Sequence, residues 1–78
     1  MIFKHFGDWL DYQIRVAGLS QKQLSIEIKV SETSISKWIQ NRSEPRLNNL
    51  IKICKTIGRY QGKNEEKLQL QGQKYLKR

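Results

Sequence analysis

Apolar residues recur every three or four positions through most of the chain, and Ser, Gly and Pro cut that rhythm into short segments. Phe6, Leu10, Ile14 and Ala17 share one helical face, with Trp9 beside it, which predicts a helix over 6–17. Asp8 suits its N-cap or its first turn, and Gly18 its end. Ser20 with Gln23 forms a Ser-x-x-Gln capping box, and Leu24 and Ile28 follow at i and i+4. This predicts a second helix over about 21–29. Ser31 is the next N-cap, opening a third helix over about 32–39. Ile35 and Trp38 face inward there, and Glu32, Thr33, Ser36 and Lys37 face outward. The polar stretch 40–46 holds the one proline and reads as a loop. Leu47, Leu50, Ile51, Cys54 and Ile57 then predict a fourth helix stopped by Gly58. Connections this short predict an all-α, compact, four- to five-helix orthogonal bundle.

After Gly58 the pattern weakens. Residues 59–78 are rich in Gln and Lys and carry six basic and two acidic residues, half of the formal net charge of +8. The alternation from Lys67 to Gln71 suits a short strand. A fifth helix from Asn64 would align Leu68, Gln71 and Tyr75, and disorder is the third reading. The expected organisation is a domain over 1–58 and a basic tail over 59–78. Residues 1–5 are a frayed arm or an extension of the first helix.

The charge and a pI near 9.9 point to an anionic partner, either nucleic acid or an acidic membrane surface. The single Cys54 excludes a disulfide framework and a cysteine-based zinc site. Its place on the apolar face marks it as a small core side chain. No apolar run is long enough to span a membrane, and the first residues lack a signal peptide's apolar core. A cytoplasmic, nucleoid-associated location is expected. His5 has no ligand cluster around it, and Asp8 and Asp11 have no nucleophile or base to work with, so no metal, cofactor or enzymatic activity is expected. Trp38 keeps the spacing of Ile35 and belongs to the core. Trp9 is open between core and surface. A short helix held from behind by Ile35 and Trp38, with a polar and partly basic outer face, fits the DNA major groove.

The stretch LSQKQLSIEIKVSETSISKWIQN (19–41), then Glu44-Pro45, then Leu47 to Ile57 in LxxLIxxCxxI spacing, resembles the helix-turn-helix of the lambda-repressor, Cro and Xre family. The resemblance implies that the second helix crosses the DNA backbone and the third enters the major groove. The family's base-reading positions fall on Glu32, Thr33 and Lys37, with Ser36 on the same side. Lys37 would donate to guanine O6 and N7, Glu32 would accept from cytosine N4, and Thr33 would set its methyl on a thymine methyl. Gln21, with Ser20, would hold a phosphate at the start of the second helix. In the loop, Asn41, Arg42, Ser43 and Arg46 would face phosphates. Arg46 stands where the family tends to have a capping residue. Lys29 replaces the turn glycine of the family, and Asn41 stands where glycine is frequent, so both are expected at positive φ or in a reshaped turn. Ile14 and Ile39 replace a buried Arg–Glu pair of many members and are expected to touch.

The resemblance further implies a transcriptional regulator binding double-stranded operator DNA, an inverted repeat, as a homodimer. Tyr60, Leu68, Leu70, Tyr75 and Leu76 are the candidate dimer contacts. Two alternatives accompany it. One is an antitoxin-type adaptor whose tail folds on a partner protein. The other is a non-specific nucleic-acid binder, which would be indifferent to Thr33 and Lys37.

Overall fold

A computed structural model of the chain describes residues 3–76. It consists of five α-helices: α1 Phe6–Ala17, α2 Gln21–Ile28, α3 Glu32–Ile39, α4 Leu47–Gln61 and α5 Glu65–Tyr75. No strand occurs among the described residues. The chain is the all-α bundle that the apolar spacing predicts.

Local chemistry sets most boundaries. Ser20 Oγ accepts from the Gln23 amide at 3.0 Å, and Gln23 Oε1 accepts from the Ser20 amide at 2.8 Å, so the capping box is complete. Ser31 Oγ accepts from the Ser34 amide and caps α3. Asp8 is a first-turn acid of α1, whose N-cap is His5. Four helices close through one left-handed residue each, at Gly18, Lys29, Asn41 and Gly62. At each, the following amide returns to a carbonyl five residues back: Leu19 to Ile14, Val30 to Ser25, Arg42 to Lys37 and Lys63 to Gly58. Lys29 (φ 58°) and Asn41 (φ 61°) hold this geometry without being glycine.

The core gathers Trp9, Leu10 and Ile14 from α1, Leu24 and Ile28 from α2, Ile35 and Trp38 from α3, and Leu50, Ile53, Cys54 and Ile57 from α4. Ile14 is buried and Ile39 half-buried against this core, on two helices that pack together.

The structure corrects the fourth helix in two respects and decides the open readings that follow it. Gly58 does not stop α4; the helix continues to Gln61 and turns at Gly62. Gly58 is glycine because the chain folds back over it: a Cβ there would stand 3.0 Å from the Lys63 carbonyl oxygen and 3.4 Å from Leu68 Cδ1. The inward set of α4 also shifts, because Ile53 is buried whereas Leu47 is 46% exposed and Ile51 half-buried. Of the three readings of the tail, the helix from Asn64 is the one the described residues adopt, as α5; residues 77–78 lie outside the described residues. Asn64 Oδ1 accepts from the Glu66 and Lys67 amides and caps α5. Leu68 is buried in the core, and a Cβ on Gly72 would already touch Trp9 and Leu50 at 3.0–3.1 Å. Trp9 Nε1 donates to Gln71 Oε1 at 3.4 Å. Trp9 is thus a core residue, 1% exposed, because α5 covers it. The boundary drawn at residue 58 therefore falls inside α4, and α5 packs against both α4 and α1.

Candidate nucleic-acid interface

The third helix is locked from behind. Ile35 is fully buried and Trp38 nearly so, while Glu32, Thr33 and Lys37 on its other side are exposed. α3 packs on α1 and α2. With Ile35 anchored, rotation of α3 about its axis would expose an indole and an isoleucine, so its outer face has a fixed orientation. Ser36 departs from expectation in being half-buried, with its hydroxyl accepting from Gln40 Nε2 at 2.8 Å. Its own O–H still leaves one donor. Glu32 lies in the first turn, where its charge favours the helix dipole.

At the start of α2 the Ser20 hydroxyl accepts the Gln23 amide, and the Ser20 carbonyl accepts the Leu24 amide. The Gln21 and Lys22 amides are the open donors of that turn, and the Gln21 side chain is half-buried beside them. An anion is the natural complement of such a terminus. α2 is braced from outside: Glu27 accepts from Arg59 Nη2 at 2.9 Å and from the Tyr60 hydroxyl at 3.2 Å, tying α2 to the end of α4. Sequence reading missed this brace, because it joins residues 32 and 33 positions apart.

Arg42, Ser43 and Arg46 are exposed on the loop after α3. Neither arginine forms an ion pair among the described residues, where the two pairs are Arg15–Asp11 and Arg59–Glu27. Their charges are free to meet phosphate. Arg46 is the N-cap of α4 and offers no side-chain cap.

Asn41 has a role that sequence reading did not assign. Its Oδ1 accepts the Gly7 amide at 2.7 Å, fastening the first turn of α1 to the end of α3. Gly7 is buried, and a Cβ there would overlap the carbonyl oxygens of Ile39 and Trp38. Only glycine lets α1 come this close. The one hint in the sequence is Gly7 itself, since glycine in a helix is otherwise unfavourable. With Oδ1 engaged, the amide nitrogen is the part of Asn41 left to donate outward.

Among the described residues no group of three His, Cys, Asp or Glu side chains could hold a metal ion. Burial, and then the Glu65 charge, push the Cys54 thiol up to about 12, so it stays protonated near neutral pH. No described helix is long and apolar enough to cross a membrane.

A family model described as Helix-turn-helix matches residues 12–60, well over half of the chain. No curated protein and no solved structure matches the chain. The matched span runs from the middle of α1 to the end of α4 and contains the capped α2, the turn at Lys29 and the capped α3. The chain therefore belongs to the helix-turn-helix family of lambda-repressor, Cro and Xre type, and is a DNA-binding regulator of that family.

Proposed function

We propose that the protein is a sequence-specific transcriptional regulator of the phage-repressor or Cro type, acting on the nucleoid. It binds an inverted-repeat operator as a homodimer and has no catalytic step. The observation that carries this reading is the outer face of α3, where Thr33 and Lys37 stand exposed opposite the buried Ile35 and Trp38. Lys37 donates to a guanine, Thr33 packs its methyl on a thymine, and Glu32 accepts from a cytosine, with the Ser36 O–H beside them. Each good contact discriminates by about 1–3 kcal/mol. Ser20, Gln21, Asn41, Arg42, Ser43 and Arg46 set the register on the phosphates.

Two copies place their α3 helices about 34 Å apart, one helical turn of duplex. Leu68 is buried within its own protomer, and Tyr75 and Leu76 pack against the same core, so the dimer contact rests on Tyr60 and Leu70, which are 49% and 63% exposed. The adaptor alternative requires a tail that orders only on a partner. The docking of α5 in the isolated chain weighs against it.

The test is selection from a random duplex pool near physiological salt. The proposal expects an inverted repeat with half-sites one helical turn apart. Recovery without any motif, with binding that vanishes uniformly as salt rises, would reduce the protein to a non-specific binder.

A further inference from the structure

The exposed face of α4 is unlike every other helix face of the molecule. Its fifteen residues, LNNLIKICKTIGRYQ, include Lys52, Lys55 and Arg59 and no acid. These three are exposed, together with Asn48, while Leu50, Ile53, Cys54 and Ile57 are buried opposite them. The positions 48, 52, 55 and 59 are spaced four, three and four apart, so they form one stripe along the helix. From Lys52 to Arg59 it runs about 10 Å at the helical rise of 1.5 Å per residue. Past the Gly62 turn the exposed Lys63 extends it. Lys55, Arg59 and Lys63 line a shallow groove of about 460 Å³ with Gly58, Gly62 and one acid, Glu65.

Neither Lys52 nor Lys55 forms an ion pair among the described residues; Arg59 is paired with Glu27 yet keeps a side chain 66% exposed. Like charges three and four apart oppose helix stability. Lys52 and Lys55 therefore have no ion-pairing use within the chain, whereas Arg59 serves both the brace to Glu27 and the stripe. It lies on a different helix from the base-reading face: α4 packs on α1, α2 and α5, and α3 on α1 and α2. It starts close in sequence to Arg46, the last of the loop's phosphate candidates, and leads away along α4.

We propose that Lys52, Lys55 and Arg59 form a second contact for the phosphate backbone of duplex DNA, separate from the base-reading face. A single-sign stripe of about 10 Å is long enough for its cations to meet neighbouring phosphates of one strand. The inference rests on the reading of the chain as a duplex binder. Two sources offer this chemistry: the flank of the operator duplex, bent along α4, or a second duplex bridged to the first.

The experiment measures the affinity of the whole chain for a 40-base-pair random-sequence duplex across about 50–200 mM salt. Wild type is compared with Lys52→Gln/Lys55→Gln, with the charge-preserving Lys52→Arg/Lys55→Arg, and with Lys4→Gln/Lys74→Gln, which lowers net charge equally elsewhere. Two lost phosphate contacts reduce the log–log salt slope by about 1.8, so wild-type affinity falls about twelve-fold more than that of the α4 variant over this range. The arginine variant restores the slope, and the Lys4/Lys74 variant leaves it near wild type. Circular dichroism verifies the fold of each. A bead-tethered duplex that captures a second labelled duplex, only with Lys52 and Lys55 present, assigns the stripe to bridging. The slope change without capture assigns it to the flank. An unchanged slope in a variant that still binds overturns the stripe alone and leaves that face to an acidic protein partner. Loss equal to that of the Lys4/Lys74 variant also overturns it, as a general effect of charge. Absence of binding by wild type overturns the duplex reading as a whole.

Discussion

Asn41 separates two contributions that its position combines. Its backbone is left-handed at φ 61°, and its Oδ1 accepts the buried Gly7 amide at 2.7 Å. Asn41→Gly keeps the backbone free to adopt that conformation and removes the acceptor. A buried donor left without a partner costs about 1–3 kcal/mol. Asn41→Ala adds a left-handed penalty of about 1–2 kcal/mol, part of which asparagine already carries. The expected ranking is wild type, then Asn41→Gly, then Asn41→Ala, with the last lower by about 2–4 kcal/mol. For a domain of this size each kcal/mol is about 4–8 °C of melting temperature, so the differences are easily resolved. Asn41→Asp keeps an acceptor and sets a negative charge against the first turn of α1, favourable by about 0.3–1 kcal/mol. It should melt at or above the wild-type temperature and yet bind DNA more weakly, because a carboxylate then faces phosphate. Thermal and urea unfolding followed by circular dichroism measure the ranking, and fluorescence anisotropy measures binding. If Asn41→Gly unfolds with wild type, the Gly7 bond contributes nothing. If Asn41→Asp is as unstable as Asn41→Ala, the geometry is wrong.

Leu68→Ala should cost about 2–4 kcal/mol in urea unfolding, because Leu68, on the inner face of α5, is 2% exposed; no change would mean that α5 is not part of the cooperative unit. Lys29→Gly relieves a left-handed lysine of about 1–2 kcal/mol and adds about 0.5–1 kcal/mol of unfolded-state entropy, so the urea midpoint should rise slightly; a fall would show that the lysine stem packs usefully. Cys54 titrates near 9.0 when unfolded and is pushed up to about 12 in the fold by burial and then by Glu65. The neutral thiol is thus favoured by folding, and that stability, complete below pH 9, declines as pH rises from 9 towards 12. Unfolding at pH 8 and pH 10.5 should show a larger loss for wild type than for Cys54→Ala, and equal losses would refute the shift.

Much of the helical pattern is legible in the sequence because its signals are local. The capping box of Ser20 and Gln23, the Ser31 cap and the left-handed closure at Gly18 depend on residues within five positions of one another. The outward face of α3 is legible for the same reason, since Ile35 and Trp38 fix which side is buried. The failures are non-local. GRYQG (58–62) offers two glycines as helix stops, and the choice between them depends on α5 returning over Gly58. The tail's Leu68 and Leu70 alternate like a strand and Leu68, Gln71 and Tyr75 align like a helix; the choice for the helix depends on α4 and α1, distant in sequence, which cover Leu68 and leave Leu70 exposed. Asn41 reads as a turn residue with a free amide, and nothing near it in sequence announces Gly7. Ser36 is placed on the open face by period, but it is half-buried, and its bond to Gln40 turns on rotamers that spacing does not specify.

The outer face of α3 is the surface proposed to read bases. The most direct test repeats the random-duplex selection with Lys37→Ala beside wild type. Both should recover the same inverted repeat, and one position in each half-site, a guanine in the wild-type motif, should lose its preference in the variant. An unaltered motif bound with uniformly lower affinity would place Lys37 on phosphate and contradict base reading by Lys37.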